Sequence, residues 1–299
     1  MASFHPLRAW RPRVAIDVGT AFIRVATDGE GIETLVGAGA LLRQGVVADP
    51  EGVSALLRPC LDKLNRWGIL GPRVLVGVPT DARDEERAAL CRALRAAGAA
   101  EVELVPEPRA AALGAGVDLS SPYAQMIVDV GEGVTDCAIF RAGRILAARA
   151  LRIGCADLRE QLRRGILETH GVRVDSATAE RILIAVGLDD DNTSPATLDF
   201  CPSALDAAAL LTLARTELVA MLAPVAEKIL ATIADFLRGL PHEPGCEIIE
   251  SGILLTGGGA MLPGMARRLS EATAIPVRTA PNPLAAVILG LHAMVAASA

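Results

Sequence analysis

The chain has 299 residues, 52% of them hydrophobic, 21% charged and 3% aromatic, which suits two ordinary domains, or one large one split by a cleft, with a core of small aliphatic side chains. The net charge is −6 and the 29 basic residues, all arginine except Lys63 and Lys228, form no dense block, so a nucleic-acid binder is not expected. The six cysteines and four histidines are scattered without a CxxC pair, which argues against a metal cluster or a disulfide framework and fits a reducing cytoplasm.

The N-terminal MASFHPLRAWRPR has no apolar signal core. It mixes Phe4, Leu7 and Trp10 with three arginines, as a segment docking on anionic lipid would, but Pro6 and Pro12 work against a regular helix and a disordered tail competes. RVAIDVGTAFIRVATDGEGIETLVGAG reads as a β-meander between glycine turns, and RVLVGVP (73–79) as a short buried strand. DARDEERAALCRALRAAGA opens with acids and closes at Gly98, as a helix does. EVELVPEPRAAALGAG predicts a strand, a proline turn and an alanine-rich helix.

AQMIVDVGEGVTDCAIFRAGRILAARAL repeats the meander, and helices are expected near 157–170 and 177–186. GLDDDNTSPATLDFCPS predicts a loop or small surface subdomain. Residues 204–240 read as one long helical stretch, broken or bent near Pro224. SGILLTGGGAMLPGMARRLSEATAIPVRTAPNPLAAVILGL gives strand, glycine loop, helix, strand and helix, and the apolar run from Leu284 is read as a buried C-terminal helix. The unit strand–Asp–x–Gly–x–strand occurs at 14–26 and again at 126–140, so a duplicated α/β unit with a cleft between the copies is the economical architecture.

Three segments carry the chemistry. IDVGTAFIRVA and VDVGEGVTDCAIF each set an aspartate at a strand end, followed by glycines that let backbone N–H groups approach an anion. LLTGGGAMLPGM places three glycines between a strand and a helix, where the backbone can come close to a flat or anionic ligand. In this order they resemble the phosphate-1, phosphate-2 and adenosine motifs of the actin-like ATPase superfamily, and within it the bacterial cell-shape proteins of the MreB/Mbl family. GVVADP, RVLVGVPTDARDEERAAL, VPEPRAAALGAG and PNPLAAVILG support the resemblance, which runs from Val14 to about Leu291.

The resemblance implies an α/β, two-lobed actin-like (ribonuclease H-like, duplicated) fold with a nucleotide cleft. Lobe I would span 14–121, with a truncated small subdomain near 28–47. Lobe II would span 122–275, with a small subdomain near 172–205, and 276–299 would return to lobe I. ATP and Mg²⁺ are the implied cofactors. Asp17, Asp129 and Glu132 would face Mg²⁺, mainly through water. Gly19, Thr20, Arg24, Gly131, Gly133 and Thr135 would line the phosphates, and Gly257, Gly258 and Gly259 the nucleoside. Glu107 would orient the attacking water, with Asp136 as the other candidate.

Each of these has a plainer reading: Glu107 as a helix N-terminal acid, Arg24 as an exposed strand arginine, Glu132 as a solvent-directed side chain. Glu132 stands where the family usually has glycine, and Val134 where it has threonine. Leu183 and Ala185 replace a lysine and a glutamate that the family turns toward the nucleoside, so weak ATPase activity at most is expected.

The implied function is an ATP-binding cytoskeletal protein that forms filaments or a scaffold and organises cell shape and cell-wall synthesis. Its partners would be itself or a paralogous bacterial actin, cell-wall synthesis and morphogenesis proteins, and the inner face of the membrane, with no nucleic acid. Its place would be the cytoplasm, peripheral to that membrane. The alternatives are a nucleotide-binding pseudo-ATPase scaffold with little turnover, and a kinase or chaperone relative from the same superfamily.

Overall fold

The computed structural model describes residues 10–27, 31–35, 41–65, 67–189, 197–202 and 210–297. Phe4 and Leu7, on which the expectation of lipid docking falls, lie outside them. The chain divides into two compact units, one of residues 1–119 and 284–299 and the other of residues 120–283.

In the first unit, β1 (Arg13–Val18), β2 (Ile23–Thr27) and β3 (Gly31–Leu35) form the expected antiparallel meander. A two-residue hairpin, β4 (Leu42–Arg43) and β5 (Val46–Val47), follows. Within 28–47, where a reduced small subdomain is expected, β3 is the edge strand of the five-stranded sheet and this hairpin is a separate pair. The sequence reading assigns nothing to 51–70, yet α1 (Pro50–Lys63) is there. Asp49 caps it by accepting the Gly52 N–H at 2.9 Å, and Pro50 supplies the fixed φ of a first turn.

Strand β6 (Arg73–Val78) pairs parallel with β1. After α2 (Asp84–Ala96), β7 (Glu101–Pro106) pairs parallel with β6, so the sheet order is β3-β2-β1-β6-β7. No turn separates β7 from α3 (Glu107–Gly114); Pro106 ends one and Glu107 begins the other. Alternation along β1 sorts the core: Val14, Ile16 and Val18 face α1 and α2, and Ala15 faces the opposite layer. That layer is α3 packed on α9 (Ala286–Ala297), the C-terminal helix expected from the apolar run. Gly114 and Gly290 lie at the contact, where an added Cβ would collide with the facing helix backbone.

The second unit repeats this plan. β8 (Gln125–Val130), β9 (Thr135–Arg141) and β10 (Arg144–Leu151) form an antiparallel meander. α4 (Cys155–His170), α5 (Ser176–Val186) and the hairpin β11 (Thr197–Phe200) and β12 (Leu211–Ala214) follow. The hairpin corrects the expected helix and, of the loop or small surface subdomain expected at 187–203, goes against the loop alone. TLDF is a strand inside the expected loop, and LTLA is a strand inside the expected helix, because Leu213 turns into the core while the pair satisfies both backbones.

Helix α6 (Arg215–Arg238) then runs unbroken through Pro224. Buried Leu218, Leu222, Ala226, Ile229 and Ile233 hold one face on both sides of the proline, and this outweighs a single missing N–H. α7 (His242–Ser251), to which the sequence reading assigns no element, leads to β13 (Ile253–Thr256), α8 (Met265–Thr273) and β14 (Val277–Thr279). Both late strands are parallel additions to β8, giving the order β10-β9-β8-β13-β14. Val277–Thr279, which the sequence assigns to the returning segment, is therefore part of the second sheet. The two sheets match strand for strand, each a three-stranded meander extended by two parallel strands, as expected of a duplicated unit.

Candidate functional site

In the first unit, β1 ends at Asp17, which is 7% exposed. The turn closes when the Gly19 N–H donates to the Phe22 carbonyl at 3.0 Å, and an added Cβ on Gly19 would press on that oxygen. Arg24 is the cross-strand partner of Asp17 and forms an ion pair with its Oδ2 at 3.2 Å. The arginine is therefore not an exposed strand residue: its side chain is 16% exposed and its guanidinium lies over the Phe22 ring at 5.5 Å. Burial raises the Asp17 pKa, and the charge and hydrogen bond of Arg24 work against that rise. The Thr20 hydroxyl accepts the Gly45 N–H at 3.0 Å, which ties the turn to the β4–β5 hairpin.

Glu107, first residue of α3, lies over β6 at Gly77. A Cβ there would stand 3.1 Å from the Glu107 Cγ and 3.8 Å from its Oε1. The β1–β6 register matches Ile16 with Val76, so Gly77 is the next step, beside Asp17. Glu107 and Asp17 are thus gathered at one edge of the first sheet, and the glycine in RVLVGVP leaves room for the glutamate. Gly77 escapes the sequence reading; a glycine inside a buried apolar strand is the signal that could have found it.

The second unit builds the same turn after β8. Asp129 is 8% exposed, and the Gly131 N–H donates to the Val134 carbonyl at 2.9 Å. Its cross-strand partner is Asp136, 2% exposed, so two buried acids stand opposite each other where the first unit has an acid and an arginine. Hard oxygen donors of this kind suit Mg²⁺. Thr135 is buried and donates its hydroxyl to the Ile153 carbonyl at 2.8 Å, which anchors β9.

Helix α4 begins against the turn. The Cys155 and Ala156 N–H groups donate to the Gly131 and Glu132 carbonyls at 3.0 and 2.9 Å, and a Cβ on Gly154 would collide with both of those oxygens. The Glu132 carboxylate forms an ion pair with Arg159 of α4. Burial alone would lower the Arg159 pKa; the hydrogen bond and charge of Glu132, with the charge of Glu180, raise it. Burial, reinforced by the Glu132 charge, pushes the Cys155 thiol up to about 12, so it is an inert core group.

Gly257, at φ 82°, follows β13, and a Cβ there would collide with Asp129 Oδ1 and the Val130 carbonyl. Gly258 opens a short 3-10 turn, and a Cβ on Gly259 would collide with the Val130 side chain. The glycine loop thus lies against the end of β8 beside Asp129. Leu183 is buried in the core at 2% exposure, whereas Ala185 is exposed. Among the described residues, no three histidine, cysteine or acidic side chains cluster to hold a metal directly, and no helix is long and apolar enough to cross a membrane.

Comparison with known proteins gives one family. Residues 34–299 match the MreB/Mbl protein family. The chain is 32% identical over 253 residues to the cell shape-determining protein MreB of Escherichia coli (strain K12), covering 83% of this chain and 73% of that protein. It is 29% identical over 256 residues to Mbl of Bacillus subtilis (strain 168), covering 85% and 77%. The crystal structure of MreB5 of Spiroplasma citri bound to ADP has a TM-score of 0.84 at 24% identity over 94% of both chains. The MamK double helical filament has a TM-score of 0.76 at 20% identity, over 94% of this chain and 98% of that one. These structures share the fold, which is actin-like.

Proposed function

The chain belongs to the MreB/Mbl family, and from that premise we propose that it binds ATP with Mg²⁺ and assembles with copies of itself into cytoskeletal filaments. The observation that carries this reading is the duplicated turn. Two sheets of identical strand order each end a central strand in a buried aspartate followed by a glycine turn, at Asp17–Gly19 and Asp129–Gly131. Similar proteins support it: MreB5 of Spiroplasma citri was solved with ADP and with AMPPNP, and MamK as a double helical filament.

In this reading the backbone N–H groups of both turns receive the phosphates, and Gly257 to Gly259 receive the nucleoside. Mg²⁺ would be held through its waters by Asp17 and Asp129, and when bound it offsets the phosphate charge. Glu107, set over Gly77 beside Asp17, orients the attacking water, with Asp136 as the other candidate for that role. Organisation of cell-wall synthesis at the inner face of the membrane is the role proposed for the filament, by likeness to relatives named cell shape-determining proteins.

Light scattering tests the reading. Addition of ATP and Mg²⁺ should produce sedimentable polymer, and chelation of Mg²⁺ should prevent it. A chain that stays monomeric in both conditions while binding ATP would be a nucleotide-binding scaffold instead.

A further inference from the structure

We propose that Arg159 is a positioning residue for the turn of the second unit: its ion pair with Glu132 cancels the charge this acid would otherwise hold beside a bound phosphate, and fastens the turn to α4. Glu132 then serves neither as a ligand of the magnesium shell nor as a repelling charge. The proposal rests on the nucleotide reading above.

Geometry carries it. The Glu132 and Arg159 side chains are 21% and 17% exposed, so the pair is shielded from salt more than a surface pair is. The carbonyls of Gly131 and Glu132 already accept the first N–H groups of α4. Arg159 lies four residues beyond Cys155, on the same face of α4, and adds a second link between turn and helix one helical turn further on. Charge carries it too. Arg159 also lies within electrostatic reach of Glu180 on α5, so loss of Glu132 leaves the arginine with a partner, whereas loss of Arg159 leaves Glu132 uncompensated beside the turn.

The test is a titration of ATP, with Mg²⁺ and with chelator, at low and high ionic strength, against Arg159→Met, Glu132→Gly and the double variant. Arg159→Met should weaken binding roughly tenfold at low ionic strength, the size of one like charge several ångströms from a phosphate, and less in high salt. Glu132→Gly should tighten binding, because Arg159 then shares its charge with Glu180 alone. The double variant should recover most of what Arg159→Met loses, and Arg159→Lys should lose less than Arg159→Met. If Arg159→Met does not fold, the ordering of Glu132→Gly, parent and Arg159→Lys carries the same sign. Weaker Mg²⁺-dependent binding by Glu132→Gly, or a salt-independent Arg159→Met indistinguishable from the parent, overturns the proposal and leaves the nucleotide reading standing. A parent chain that binds no ATP overturns both.

Discussion

The turn after β1 and the turn after β8 share a backbone and differ in how they handle charge. Each begins at a buried aspartate and closes with a glycine N–H donating three residues ahead, at 3.0 Å from Gly19 and 2.9 Å from Gly131. The first unit neutralises its acid within the hairpin, through Arg24. The second sets Asp136 across from Asp129 and brings its arginine from a separate helix, where it holds Glu132 instead. A duplicated turn thus keeps its backbone while its two copies differ in charge: the first sets an arginine across from its aspartate, and the second sets another acid there.

The glycines sharpen the comparison most. Gly257→Ala forces a Cβ into Asp129 Oδ1 and the Val130 carbonyl at φ 82°, so the second unit should lose about 3 kcal/mol in denaturant unfolding. Gly77→Ala, in the strand beside Asp17 of the first unit, meets side chains alone, Glu107 at 3.1 Å and Val287 at 3.4 Å. It should cost about 1 kcal/mol, within the overpacking range, and lower ATP turnover by displacing Glu107. Equal losses for the two would remove the distinction between a backbone-limited and a side-chain-limited site.

Arg24→Leu tests compensation in the first unit. It leaves Asp17 buried and unpaired and should cost about 2 kcal/mol at pH 7, less than for a fully desolvated pair because Arg24 keeps some exposure. The pH dependence follows from Asp17. Its folded pKa is raised above the ordinary 3.8, so the folded chain binds the proton more tightly than the unfolded one. Stability therefore falls as pH rises from about 3.8 through the folded value. Without Arg24 that pKa rises further, so the deficit should be full at neutral pH and should shrink to lost packing below about 3.8. Unfolding curves across acid and neutral pH check it, and a deficit independent of pH would show that Arg24 acts through packing alone.

Asp136→Asn should give the smallest effect. Removing one of two opposed acids should raise stability by about 0.5 kcal/mol, as for a like-charged cross-strand pair, while reducing ATP turnover. Melting temperature and phosphate release, measured on the same preparation, separate the two effects.

Much of this was readable in the chain. Both meanders announce themselves through apolar runs broken at glycine, and α2 through its acids and Gly98. The strand LTLA was not readable, because it borders a long helical pattern and only its pairing with Thr197–Phe200 makes it extended. α1 was readable from Asp49 and Pro50, a cap and first turn that resemblance to a family motif obscured. In the site, the aspartates and glycines are local signals. The Arg24–Asp17 pair depends on hairpin register, and the Glu132–Arg159 pair joins residues 27 apart in sequence. No local pattern encodes contacts of that kind.

The central proposal is that Asp17 and Asp129 each take part in Mg²⁺-dependent ATP binding, and calorimetric titration of ATP against the parent chain, Asp17→Asn and Asp129→Asn tests it most directly. The parent should bind ATP with a heat that depends on Mg²⁺, and each variant should lose roughly tenfold in affinity with Mg²⁺ and little in chelator, as for one charge-assisted contact. A parent without binding heat, or variants whose Mg²⁺-dependent affinity equals the parent's, would contradict it.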